Sequence, residues 1–208
     1  MLLNIAVIII GYLLGSIPWA FTIAKLRKGI DIRDVDVGNV GAGATFRQVG
    51  VWEGIFVIFA DAGKGAGAVF VAQLLGAPEL WVFGAGFAAV LGHNYPLFIG
   101  FKGGQGAATI IGVFLVLAPA AMGITLLLIG AVLFTKPSLF VQRFFFGIAC
   151  AAPALPVLIW LFDGSMALII YSVFTLLFVV FKNLRRLKTP KALTHVHDAH
   201  VVSIDKKQ

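Results

Sequence analysis

Residues 106–134 read GAATIIGVFLVLAPAAMGITLLLIGAVLF, a run without a single charged side chain. A helix rises about 1.5 Å per residue, so roughly 20 apolar residues cross a hydrocarbon core of about 30 Å. The run is too long for one ordinary crossing, and Pro119 stands near its middle between alanines. Proline has no N–H for the helical ladder and clashes with the preceding turn. The run is therefore read as two short spans that turn at Pro119.

Working outward from it, Leu2–Ala24 and Val51–Leu75 are each long enough to span, and a third span runs from Leu80 to about Gly100. A sixth follows from Phe144 to Phe162 and a seventh from Ser165 to Phe181, joined by Asp163-Gly164. Cytoplasmic loops are enriched in Lys and Arg. With seven spans, one face collects Lys25, Arg27, Lys28, Arg33, Arg47, Lys102, Lys136, Arg143, Lys182, Arg185, Arg186 and Lys188, and the turns on the other face hold none. The fold class expected is an all-α integral membrane protein, a bundle of seven transmembrane helices with the N-terminus out and the C-terminus in. Residues 1–188 form the membrane domain and 189–208 a polar cytoplasmic tail.

Composition excludes the main soluble classes. Hydrophobic residues make up 60% of the chain and charged residues 12%, with a mean hydropathy of +1.01. The net charge of +7 flanks apolar runs instead of forming a continuous soluble face, so anionic lipid headgroups and phosphorylated substrates are the expected partners and nucleic acid is not. Cys150 has no intrachain partner and reads as a small core residue. Met1–Asn4 carries no basic region before the apolar run, and the first span is read as retained rather than cleaved. His195, His197 and His200 fall in the polar tail, where an exposed, mobile segment is the simpler reading than a metal site.

The polar residues cluster on the basic face. Gly92-His93-Asn94-Tyr95-Pro96 leads into Phe101-Lys102-Gly103-Gly104-Gln105-Gly106-Ala107-Ala108-Thr109. Glycines allow positive φ and close approach, their N–H groups make an anion nest, and Lys102 adds a full charge. A phosphate site at a membrane surface is the chemistry implied. A second glycine-rich connection, Gly38-Asn39-Val40-Gly41, precedes Arg47 on a short interfacial helix. Asp61 and Lys64 lie three apart on one helical face inside a span, where they serve as an internal ion pair or as substrate contacts. His93 is read as a packing residue, a loop anchor or a base.

Taken together, Gly15-Ser16-Ile17-Pro18, Gly29-Ile30-Asp31-Ile32-Arg33, Gly38-Asn39-Val40-Gly41-Ala42, Asp61-Ala62-Gly63-Lys64-Gly65 and the Gly92–Thr109 segment stand in an order that resembles the bacterial acyl-phosphate-dependent glycerol-3-phosphate acyltransferases, the PlsY family. The resemblance implies transfer of a fatty acyl group from acyl phosphate to the sn-1 hydroxyl of glycerol 3-phosphate, giving lysophosphatidic acid at the bacterial inner membrane, with no metal or other cofactor. It implies catalytic roles for Lys102, Asn39 and Asn183, and substrate binding by Gly38, Gly41, Arg47, Asp61, Lys64, His93, Gly103, Gly104, Gly106, Thr109, Arg143 and Arg186. The chain departs from the family pattern at Val37, at Gly43-Ala44, after Arg143 and at Val180, where the family has polar residues. An acyltransferase with another acceptor and a non-catalytic lipid-binding relative therefore stand as alternatives. A transporter is disfavoured by the lack of an internal repeat.

Overall fold

The computed structural model describes residues 1–35, 40–134, 148 and 151–187, with only the backbone of 133–134 and 183–187. Gly38, Asn39, Val37, the 135–143 loop with Arg143, the start of the sixth span, Cys150 and the histidine tail lie outside the described residues, as do the side chains of Asn183 and Arg186.

Among the described residues every regular element is a helix. The helices are α1 (Leu2–Ser16), α2 (Trp19–Lys28), α3 (Ile32–Val35), α4 (Ala42–Gln48), α5 (Val51–Leu74), α6 (Glu79–Asn94), α7 (Ala107–Leu117), α8 (Pro119–Phe134), α9 (Ala154–Phe162) and α10 (Met166–Leu187), with a 3₁₀ turn at Leu97–Ile99. Three stretches, Leu2–Lys28, Val51–Leu74 and Glu79–Ile99, are long and apolar enough to cross a membrane, and shorter apolar helices follow. The long apolar run does divide where proline interrupts it, with Ala118 as the single residue between α7 and α8.

Four boundaries differ from the sequence reading. In the sixth span the helix to Phe162 starts only at Ala154, after a turn at Ala152-Pro153. The first span is broken, because Pro18 interrupts the ladder between Ser16 and Trp19 and hydropathy does not register the break. The third span stops being α-helical at Asn94, two residues before Pro96. The last helix runs on past Phe181 to Leu187, because no breaker intervenes before its basic end.

Helix α1 lies along α6, and α5 along α7. Glycine makes both contacts close. A Cβ at Gly15 would strike the Ala89 backbone, and one at Gly11 the Ala85 carbonyl. Gly65 and Gly112 likewise face the Thr109 and Ala62 backbones across α5 and α7. In a membrane, such small-residue contacts replace the hydrophobic drive that water would supply. The final helix is held by aromatic packing: Tyr171 stacks on Phe83 at 4.8 Å and meets Phe114 at 5.6 Å, while Phe87 touches Phe174 and Phe178.

This close packing makes a direct prediction. Gly112→Ala is expected to destabilise the protein by about 1–3 kcal/mol, since the added methyl meets backbone that cannot rotate away. Gly63→Ala, on the exposed side of α5 with nothing within 4 Å of a Cβ, is expected to be neutral or stabilising. Thermal unfolding of the two variants in the same detergent checks it; equal melting points would contradict the packing described.

The turns gather at two ends. Gln73, Ala77, Glu79, Leu117, Asp163 and Ser165 line one cavity, which places the α5–α6 turn, the α7–α8 junction and the α9–α10 turn together. The opposite end carries Ile17-Pro18, Val40, Pro96, Ile99 and Gly103 around Asp61, Lys64 and His93.

Candidate active site

The centre of that second end is a buried ionic cluster. Lys64 Nζ lies 2.8 Å from Asp61 Oδ1, with both side chains 4% exposed. His93 Nδ1 stands 3.5 Å from the same carboxylate oxygen. The i, i+3 spacing on α5 makes the pair, and the end of α6 brings the histidine to it. Lys64 also donates to the Ile17 carbonyl at 3.0 Å. Pro18 has interrupted the ladder there, so the lysine caps the broken end of α1.

The glycine loop is built on this cluster. Gly100, Phe101 and Gly106 all take left-handed φ, at 70°, 62° and 88°. Phe101 N–H donates to the Pro96 carbonyl at 2.9 Å, and Gly104 N–H to the His93 carbonyl at 3.1 Å. The Gly104 N–H is therefore engaged within the protein and does not contribute to an open anion nest. Its lack of a side chain serves another purpose, because a Cβ there would enter the His93 imidazole and lie 2.7 Å from the Val40 carbonyl oxygen. Gly103 packs as closely against the His93 carbonyl and Pro96. Lys102 is exposed beside these two glycines, just before Gly106 caps α7. The positive end of that helix thus opens onto the loop.

The first connection meets the same loop. Arg33 Nε donates to both carboxylate oxygens of Asp31, at 2.9 and 3.2 Å, and Nη1 to the Ile99 carbonyl at 3.0 Å. Its guanidinium lies 5.0 Å from the centre of the Phe21 ring. The Arg33 hydrogen bond holds the Asp31 carboxyl at about 2, below its ordinary value. Asp31 thus stays ionised well into acid, and the contribution of its pairing is lost progressively as pH falls from the ordinary carboxylate value through the lowered one. Gly41 caps α4, accepting from Thr45 Oγ1 at 3.2 Å, and α4 carries Arg47. Val40 connects this element to Gly104.

The structure therefore brings Gly41, Asp61, Lys64, His93, Lys102, Gly103, Gly104 and Gly106 to one end of the bundle, with Arg47 on the adjoining α4. Thr109, expected among the substrate-binding residues, is fully buried and faces Gly65 between α5 and α7, and among the described residues its hydroxyl has no hydrogen-bond partner. Asn94 is 1% exposed, and among the described residues neither its amide oxygen nor its nitrogen has a partner.

Arg33, Asn94 and Lys182 are the residues that sequence reasoning did not single out. Lys182 Nζ donates to the Asn94 carbonyl at 2.8 Å and to the Gly104 carbonyl at 2.9 Å, and lies 4.4 Å from the Tyr95 ring centre. A lysine at the end of an apolar span is ordinarily a boundary marker, and only its place one residue before Asn183 hinted at more.

Fold and site together define a multi-pass integral membrane protein with a glycine-lined, cation-bearing polar site at one end of its bundle. The model of the family described as glycerol-3-phosphate acyltransferase matches residues 5–190. A glycerol-3-phosphate acyltransferase of Geotalea daltonii is 39% identical over 189 residues, covering 89% of this chain and 94% of the relative. That of Exiguobacterium sibiricum is 51% identical over 115 residues, 55% of each chain. The crystal structure of PlsY (YgiH), an integral membrane glycerol 3-phosphate acyltransferase, in its glycerol 3-phosphate form superimposes with a TM-score of 0.76 at 30% identity, covering 91% of this chain and 94% of that one. Its lysophosphatidic acid form gives 0.73 at 29% identity, over 91% and 93%. The chain belongs to the glycerol-3-phosphate acyltransferase family.

Proposed function

We propose that this protein is an acyltransferase that moves a fatty acyl group from acyl phosphate to the sn-1 hydroxyl of glycerol 3-phosphate. The new ester gives lysophosphatidic acid, and the acyl–phosphate bond breaks with loss of inorganic phosphate. The observation that carries this reading is the likeness to the glycerol 3-phosphate form of PlsY over nine-tenths of both chains, joined to a loop that offers Lys102 at the mouth of α7.

Two phosphorylated substrates and one aliphatic chain fit such a site. In this reading Lys102, Asn39 and Asn183 contact the reacting groups, and Gly38, Gly41, Gly103, Gly106, Arg47, Arg143 and Arg186 hold the phosphates. Asp61 neutralises Lys64, so this pair and His93 shape the floor of the site; Gly104 packs the loop onto it and Thr109 supports it from below. Catalysis then rests on proximity and charge stabilisation, with a substrate phosphate taking the hydroxyl proton. The chain crosses a bacterial inner membrane seven times, N-terminus out, with the site on the cytoplasmic face. Support for that orientation comes from the cavity end, whose turns contain no Lys or Arg.

The assay is direct. Purified protein in lipid, given acyl phosphate and labelled glycerol 3-phosphate, is expected to form labelled lysophosphatidic acid. Formation of none above a protein-free blank would overturn the reaction. A second reading keeps the donor and changes the acceptor, since buried Gly43 and Ala44 present no polar side chain from α4. Acyl-phosphate consumption that requires another alcohol or an amine would favour it.

A further inference from the structure

We infer that Lys182 is a positioning residue for acyl transfer, a strut from the last helix that fixes the glycine loop; the inference rests on the function proposed above. Two carbonyls that it bonds among the described residues, those of Asn94 and Gly104, bracket the turn that contains Lys102. Asn94 ends α6, where a carbonyl has lost its intrahelical donor. Gly104 is gripped from both sides, its N–H by the His93 carbonyl and its own carbonyl by Lys182.

The strut is well placed for this. Val180 and Phe181 are 52% and 59% exposed, whereas Lys182 turns inward beneath the loop. Its ammonium is held at 4.4 Å from the Tyr95 ring centre, and the Tyr95 carbonyl accepts from Tyr12 OH at 2.8 Å. One cation therefore joins α10 to the end of α6 and to the approach of α7, while α1 secures the neighbouring residue. Charge-assisted bonds to carbonyls are stronger than neutral ones, and a loop so fixed keeps Lys102 in one place relative to the substrate. Reaction rates are sensitive to such placement: a displacement of about 1 Å can lower them by about 100-fold.

The test compares the full-length protein with Lys182→Met, Lys182→Gln and Lys182→Arg in nanodiscs. Both neutral variants are expected to lower kcat by about tenfold or more with KM for glycerol 3-phosphate within about threefold, the pattern of lost preorganisation. Hydrogen–deuterium exchange over residues 94–106 is expected to quicken about tenfold while the rest of the bundle exchanges as before. Arginine, which keeps the charge and donors, is expected to restore most of kcat. A rise in KM at unchanged kcat would make Lys182 a substrate ligand and overturn the assignment, as would unchanged exchange across the loop. If the unaltered protein forms no lysophosphatidic acid, the proposed reaction fails, and the exchange comparison still decides whether Lys182 fixes the loop.

Discussion

Asp61→Ala is expected to lower the stability of the folded bundle by about 3–5 kcal/mol, because it leaves the Lys64 ammonium buried without its counter-charge. The two side chains are each 4% exposed and 2.8 Å apart, so neither water nor lipid can take the carboxylate's place. The Ile17 carbonyl remains as an acceptor, but it carries no full charge. The loss should appear as a lower midpoint of denaturation in detergent. The double variant Asp61→Leu with Lys64→Met removes both charges and is expected to recover much of the loss, since well-packed apolar replacements of buried pairs are often neutral or stabilising. A single variant as stable as the parent would mean that Lys64 does not depend on Asp61. Activity of the double variant separates structure from chemistry: near-normal turnover assigns the pair to support, and its abolition assigns it to substrate.

Lys102→Ala is expected to reduce kcat/KM by about two to three orders of magnitude, the scale seen when a preorganised electrostatic contact to a developing charge is removed. Lys102 is exposed and follows Phe101, whose φ of 62° turns the chain sharply. Its neighbour Gly103 is packed against the α6 end, which fixes the backbone from which the lysine projects. The substitution removes no buried group, so melting behaviour should be unchanged while activity collapses. Arginine at this position is expected to restore only part of the rate, because a broad planar guanidinium does not substitute for a point charge. Full activity in the alanine variant would remove Lys102 from the mechanism.

The features that were legible in the sequence share a local cause. Pro119 interrupts an uncharged run, so the division into α7 and α8 could be read from neighbouring residues. The Asp61–Lys64 pair follows from a separation of three on one helix. Pro18 broke a helix just as surely, but the apolar run continues beyond it to Ala24 and hides the break from any hydropathy window. His93 joins Asp61, and Lys182 reaches Gly104, through contacts between helices that are distant in sequence. Those depend on how the bundle packs. The glycines were recognised as important, though at Gly104 for a different physical reason: the N–H binds His93, and the missing Cβ admits the imidazole and Val40.

Helix α7 begins at the glycine loop, and Leu117 at its other end already reaches the cavity beside the far turns. Eleven residues rise only about 16 Å, roughly half of a hydrocarbon core of about 30 Å. Helix α5, by contrast, continues from Lys64 back to Val51, about 20 Å along its axis. The glycine loop therefore meets Asp61 and Lys64 part-way along α5, where Gly103 lines the same pocket as that pair. The short α7 takes its place from the longer α5 along which it packs, so a change that loosens the Gly65–Thr109 or Gly112–Ala62 approach moves the loop and the buried pair apart together.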